Sequence, residues 1–315
     1  MSFELILPFL RPIAHLIRDP HITEIMVNGS GRVFVERRGQ LEAVADVTVR
    51  EQNLRVAVRN LARVLGDDVS EDRPLLDSRL PDGSRVAAAL PPVSLGGTTL
   101  TIRKFHSQHF SAEDLVRIGT LAPGQLDILR RAIDARDNVL ISGGTGTGKT
   151  TLLNALAAFL PPDDRLVLIE DTAELQLTAT NLVRFEARRE QAGVPAVSIR
   201  DLLRATLRHR PDRILLGEVR GGEAFDLLQA LNTGHSGTLS TIHANSAEQA
   251  LTRFAACVLQ SGIDLPYPAV RLAIAEGLQL LVHLDRRQGQ RVVRQIVRVR
   301  RYEAASDTYA LEEAS

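Results

Sequence analysis

The residues with the plainest chemical purpose are Gly143, Gly144, Thr145, Gly146, Thr147, Gly148, Lys149, Thr150 and Thr151, which read G-x-x-x-x-G-K-T-T. The glycines let successive backbone N–H groups turn inward around phosphate oxygens. Lys149 sets a point charge against the β- and γ-phosphates of a nucleotide, and Thr150 offers a hydroxyl to Mg2+. The helix that follows points its positive dipole end at the same anion. A flexible turn would explain the glycines but not a Lys-Thr pair at a helix start. The expected ligands are ATP and Mg2+.

Three further groups stand where apolar runs end. Glu170 and Asp171 close the run Leu166 to Glu170, Glu218 closes Arg213 to Glu218, and His243 closes Gly237 to His243. In an open α/β sheet, ligands bind at the carboxyl ends of the strands. Any one strand-end acid passes for a helix cap or a surface ion pair. Their convergence on one phosphate loop carries the argument. Glu218 stands where nucleotide hydrolases more often place Asp. Its extra methylene lets it reach Mg2+ through a water, or reach the attacking water itself. His243, between Thr241 and Asn245, is placed to hydrogen-bond the γ-phosphate.

The elements that must position these groups alternate between helix and strand. Leu126, Leu129 and Ile133 mark a helical face, and Val139 to Ser142 is the strand feeding the loop. The helix after the loop stops at Pro161-Pro162. Helices from Glu223 to Asn232 and from Ser246, with a Ser246–Gln249 capping box, fill the crossovers. Continuous apolar strands of this kind suit a doubly wound parallel sheet covered on both faces. Upstream the rhythm differs. A hairpin runs from Ile22–Val27 through Asn28–Gly31 to Val33–Glu36. Leu54, Val58, Leu61 and Leu65 form a helix that Gly66 stops. A second hairpin turns at Pro81-Asp82-Gly83, and a strand covers Thr98 to Phe105. The organisation expected is a smaller α+β domain over residues 1–105, a linker over 106–120 and the nucleotide-binding domain over 121–315. The linker stretch holds a short helix capped by Ser111, followed by the breakers Gly119, Pro123 and Gly124. In the first domain Arg85, Arg103 and Lys104 sit on segments that end near the next domain. Strand arginines are usually solvated, but a motor binding nucleotide between subunits needs a cation supplied in trans.

Size and composition permit this plan. The chain has 315 residues with 44% apolar content, enough for two domains with full cores. Lys plus Arg and Asp plus Glu are each 38, so the balance does not demand nucleic acid. The one cysteine, Cys257, excludes an intrachain disulfide and reads as a buried thiol in a reducing compartment. No apolar run reaches the ~20 residues that a bilayer requires. The first ten residues lack a basic region and a cleavage site, so a cytoplasmic protein is expected. Peripheral attachment to a membrane complex fits the same features. A C-terminal run (Arg286, Arg287, Arg291, Arg294, Arg298, Arg300 and Arg301) includes alternating positions that suggest one face of a solvated edge strand. It could equally meet nucleic acid, acidic lipid or a partner's carboxylates.

Together these segments resemble the type II/type IV secretion ATPase superfamily and, within it, the TrbB-type conjugative transfer ATPases. The matching stretches are ITEIMVNG, RLPDGSRVA, TIRKF, GGTGTGKTT, LIEDTAELQL, RPDRILLGEVRGGEA and GTLSTIHANSA. The resemblance implies a RecA-like domain behind a PAS-like one, and a homohexameric ring at the cytoplasmic face of a bacterial inner membrane, engaged with its secretion components. It implies that Lys149 and Thr150 bind nucleotide and Mg2+, that Glu170 and Glu218 divide general-base and metal-water duties, and that His243 senses the γ-phosphate. Arg85 and Arg103 become candidates for charge-stabilising contacts. With one cysteine there is no tetracysteine zinc module, which favours the conjugation branch over type II secretion. The function implied is an ATP-hydrolysing motor for conjugative transfer or type IV secretion. The alternatives are a motor that pulls nucleic acid itself, a pilus assembly or retraction ATPase, and a non-hydrolysing nucleotide switch.

Overall fold

The computed structural model describes residues 7–37, 40–105, 110–190, 194–287 and 289–314. They form two compact units, one up to residue 105 and one from residue 110.

The first unit contains α1 (Ala14–Arg18), β1 (Ile22–Val27), β2 (Arg32–Arg37), β3 (Gln40–Thr48), α2 (Glu51–Val64), β4 (Leu75–Arg79), β5 (Arg85–Ala89) and β6 (Thr99–Arg103). Its six strands pair antiparallel in the order β3-β2-β1-β6-β5-β4. One sheet face supplies Ile25, Val27, Val33, Val35, Val86 and Ile102 to a core that α2 completes with Leu54, Val58 and Leu61. Glu51 orients the start of α2, accepting from the Thr98 backbone N–H and hydroxyl, both at 2.7 Å. Strand β3, which the sequence pattern does not predict, is exposed along most of its length. It therefore carries no apolar alternation to announce it.

The second unit contains α3 (Ala112–Arg117), α4 (Pro123–Asp134), β7 (Val139–Gly143), α5 (Lys149–Ala157), β8 (Leu166–Glu170), β9 (Leu182–Glu186), α6 (Ile199–Thr206) and β10 (Arg213–Val219). It continues with α7 (Glu223–Asn232), β11 (Leu239–His243), α8 (Ala247–Leu259), α9 (Tyr267–Gly277), β12 (Leu280–Arg287), β13 (Gln290–Glu303) and β14 (Thr308–Glu313). The strand order is β14-β13-β12-β7-β11-β10-β8-β9. From β12 to β9 neighbours run parallel, and β13 and β14 add an antiparallel margin. Strand β7 lies buried along its whole length between β11 and β12. Alternate residues divide between two cores: Val139, Ile141, Leu166 and Leu168 face α4 and α5, whereas Leu140, Val167, Ile169 and Ile214 face α7, α8 and α9. This two-sided burial is why the strands read as unbroken apolar runs.

Four expectations from the sequence change here. Ser111 caps α3 with the box closed by Asp114, but α3 is no free linker, since Ala112 and Leu115 join the α4–α5 core. Residues 106–109 of that stretch lie outside the described residues. Pro123 opens α4 at its first turn, where proline has no N–H to lose, instead of breaking the chain. Ser246 accepts from the Gln249 N–H at 3.0 Å, so the serine half of the expected box forms. The arginine-bearing strand β13 is not an edge, because β14 covers it, and Arg294, Arg298, Arg300 and Arg301 pair with Asp285, Asp137, Glu312 and Glu303.

Candidate active site

The phosphate loop leaves β7 at Gly143 and enters α5 at Lys149. Gly146 and Gly148 adopt φ of 71° and 97°, the left-handed region that side chains resist. Gly143 is required by contact, for a Cβ there would lie 2.6 Å from the Leu284 carbonyl oxygen and from Thr147 Oγ1. The Thr147 hydroxyl donates to the Gly144 carbonyl at 2.9 Å and braces the curve. Behind the loop, Ser142 Oγ lies 3.0 Å from Nδ1 of buried His283 on β12. Gly144 and Thr145 lie on the outer turn of the loop, while Thr150 and Thr151 are half-buried in the first turn of α5.

Lys149 is 9% exposed and donates to the carbonyls of Gly143 and Gly144 at 3.0 and 2.9 Å. Burial lowers its pKa, with Glu218 opposing that shift. Beside Lys149 a polar chain runs across the rim of the sheet from Thr145 through His243, Glu218 and Arg220 to Asp171. His243 Nδ1 lies 3.5 Å from Lys149 Nζ and 3.1 Å from Glu218 Oε1, and its Nε2 lies 3.0 Å from Thr145 Oγ1. The tautomer that serves both ring nitrogens carries the proton on Nδ1, donating to Glu218 while Nε2 accepts from Thr145. Glu218 Oε2 accepts from Arg220 Nε and Nη2 at 3.0 and 2.8 Å, and Arg220 Nη1 reaches Asp171 Oδ2 at 2.8 Å. Burial works to raise the Glu218 carboxyl, but His243, Arg220 and Lys149 together carry it below its ordinary value.

Glu170 stands apart from that chain. It is 3% exposed, and its Oε1 accepts the backbone N–H groups of Glu174 and Leu175, both at 2.8 Å. Its Oε2 lies 3.6 Å from Arg184 Nη2 on the neighbouring strand. Burial raises its pKa against those two amides and the arginine. Gly217 makes room for it, since a Cβ at that position would sit 3.2 Å from Glu170 Cγ. Lys149, His243 and Glu218 are thus brought together, while the Glu170 side chain turns into the loop that follows β8. Arg220 and Arg184 are not marked by the sequence pattern; the one available signal was the position of Arg220 two residues after Glu218.

In the first unit Arg85 and Arg103 are directly opposed across β5 and β6, with Arg79 opposite Arg85 on β4 and Glu24 opposite Arg103 on β1. Arg85 lies 3.6 Å from Asp77, and Arg103 is exposed. Opposed like charges cost stability on a sheet, and Asp77 beside Arg85 and Glu24 opposite Arg103 bring acids to the same row. Lys104 plays a structural part, because its ammonium donates to the carbonyls of Leu16 and Asp19 at 3.0 and 2.6 Å.

These groups fit a nucleoside triphosphate with Mg2+. Lys149 holds only neutral carbonyl acceptors, which phosphate oxygens outcompete for an ammonium group. Among the described residues no cluster of three or more His, Cys, Asp or Glu side chains could cage a metal ion. Mg2+ would therefore draw on Thr150, Glu218, phosphate oxygens and water, as this reluctantly dehydrated cation does elsewhere.

Comparison with known proteins agrees with this geometry. The conjugal transfer protein TrbB of Rhizobium radiobacter is 38% identical over 288 residues, spanning 90% of this chain and 85% of that one. The type IV secretion system protein PtlH of Bordetella pertussis is 38% identical over 301 residues, spanning 88% and 89%. The solved ATPase DotB of Legionella pneumophila shares the fold with a TM-score of 0.63 at 19% identity, covering 90% of this chain and 79% of that one. The family described as type II/IV secretion system protein matches residues 10–310. With its phosphate loop, parallel sheet and acid-lined rim, this chain belongs to that family.

Proposed function

We propose that this protein is an ATP-hydrolysing motor of a type IV secretion or conjugative-transfer system, acting as a homohexamer peripheral to the inner membrane and engaged with membrane components of that apparatus. The observation that carries the reading is the meeting of Lys149, His243 and Glu218 at one rim of the sheet, with His243 hydrogen-bonded to Glu218 and 3.5 Å from the Lys149 ammonium. Conjugal transfer and type IV secretion are the roles named for the relatives at 38% identity. Among the described residues no helix is long and apolar enough to cross a membrane.

Bound ATP supplies the phosphoryl group and Mg2+ neutralises charge on its β- and γ-oxygens. The chain's own residues position and polarise. Loop amides and Lys149 hold the phosphates, Thr150 would hold Mg2+, and His243 turns its N–H from Glu218 to the γ-phosphate. The two glutamates divide the remaining work by their environments. Glu218 stays ionised beside three cationic or donor groups, which suits a carboxylate that holds a metal-bound water. Glu170 has the higher proton affinity, which suits the acceptor of the nucleophile's proton, through the Oε2 that the two loop amides leave unbonded and Arg184 faces at 3.6 Å. Arg85 and Arg103 supply positive charge from a neighbouring subunit. In the test, Lys149→Ala abolishes phosphate release and transfer together, and undiminished transfer in that variant overturns the reading. A motor that pulls DNA directly is less favoured, because four arginines of the C-terminal run are spent on acids of the same chain.

A further inference from the structure

The C-terminal arginines fall into two classes. Arg294, Arg298, Arg300 and Arg301 each meet an acid, whereas among the described residues Arg286, Arg287 and Arg291 have no acidic partner within ion-pair distance. Those three sit at the tip of the β12–β13 hairpin, with Arg286 directly opposite Arg291. Two guanidinium groups paired across a ladder repel, and no neighbouring carboxylate offsets them.

The hairpin is not remote from the phosphate loop. Strand β12 runs parallel beside β7 with Leu284 level with Gly143. A Cβ added at Gly148 would lie 3.4 Å from Arg291 Cδ and 3.9 Å from Leu284 Cδ2. The aliphatic stem of Arg291 therefore lies along Gly148, the residue just before α5, and the Arg291 side chain is exposed. The strand order, together with the proposed roles of His243 and Glu218, sets which end of a nucleotide this side serves. Strands β11, β10 and β8 lie on one side of β7 and β12 on the other. On the function proposed above, His243 and Glu218 flank the γ-phosphate on the first side. A phosphate chain laid across the loop then has its α-phosphate toward β12.

We propose that Arg291, with Arg286 beside it, is a further nucleotide-binding residue that pairs with the α- and β-phosphates from the side opposite Glu218 and His243. The inference rests on the nucleotide reading above. An arginine fork suits this role because it can meet two phosphate oxygens at once.

The test is calorimetric titration of the full chain with Mg2+, using ADP and a non-hydrolysable ATP analogue. Arg291→Ala should weaken both nucleotides alike, by about ten-fold. Arg291→Lys should recover part of the loss, since an ammonium keeps the charge but not the fork. Arg300→Ala, on the same strand but paired with Glu312, should leave both affinities unchanged. Unchanged ADP affinity in Arg291→Ala overturns the proposal. So does a loss confined to the ATP analogue, which would move the contact to the γ-phosphate. So does a loss confined to duplex DNA or anionic vesicles, which would assign the hairpin to a polyanion. Failure of the unaltered protein to bind either nucleotide would sink the nucleotide reading itself, and this one with it.

Discussion

The two sheets treat charge in opposite ways. In the parallel sheet, strand-end acids are each answered by a cation or donor: Glu218 by His243 and Arg220, Asp171 by Arg220, and Glu170 by Arg184 and two amides. In the antiparallel sheet, Arg79, Arg85 and Arg103 line up across three adjacent strands, with Glu24 at one end. Parallel strands deliver all their carboxyl ends to one rim, so chemistry gathers there as a closed network. Antiparallel strands put directly opposed residues on one face, so like charges stand side by side there, with Asp77 beside Arg85 and Glu24 opposite Arg103. One sheet gathers its charges at a strand-end rim and the other sets them in a row across its face.

The largest effect should come from breaking the closed network. Glu218→Gln keeps the shape but removes the charge that His243 and Arg220 answer, and phosphate release at saturating ATP should fall by about 100- to 1,000-fold. Glu170→Gln should lower turnover by about 100-fold while nucleotide affinity holds. That second variant has an independent signature in stability. Burial makes the folded chain hold the Glu170 proton more tightly than the unfolded chain does, so this group favours folding at low pH. Its contribution is lost as pH rises from the unfolded carboxyl range, near 4.5, through the raised folded value. Glu170→Gln keeps an oxygen for the two amides and should therefore melt higher than the unaltered protein at pH 7 to 8. The difference should fade on acidification, and equal melting temperatures across that range would show that the carboxylate is not strained by burial.

Smaller effects should attend the row. Arg103→Ala should leave nucleotide affinity of the protomer intact but slow hydrolysis by the assembled oligomer about ten-fold or more. An equal loss in protomer and oligomer would show that the charge acts within its own subunit. Smallest of all, Gly217→Ala should cost about 1 kcal/mol, since the new methyl must push Glu170 Cγ outward by a few tenths of an ångström. Denaturant unfolding measures it, and an unchanged midpoint would mean that Glu170 yields freely.

How much of this was legible before folding depends on where each constraint lies. The phosphate loop was, because its chemistry demands fixed residue types at fixed spacing. The strand-end positions of Glu170, Glu218 and His243 were, because largely buried strands leave apolar runs whose ends can be counted, though not that the Glu170 side chain turns into the loop after β8. Arg220 was not: its bond to Asp171 joins residues 49 positions apart and exists only because β8 and β10 are neighbours. Strands β3 and β9 were missed because exposed or half-exposed edges impose no apolar pattern. The arginines of β13 misled in the opposite sense, since their alternation was correctly a strand signal but the covering strand β14 could not be inferred from it.

The central claim is that one triphosphate is held by the loop and Lys149 while Glu218 and His243 flank its γ-phosphate. A crystal structure with Mg2+ and a non-hydrolysable ATP analogue tests it most directly. The Lys149 ammonium should leave the Gly143 and Gly144 carbonyls for the β- and γ-phosphates, with His243 and the Glu218 side on the γ-phosphate. A nucleotide bound elsewhere, with Lys149 still on those two carbonyls, would contradict it.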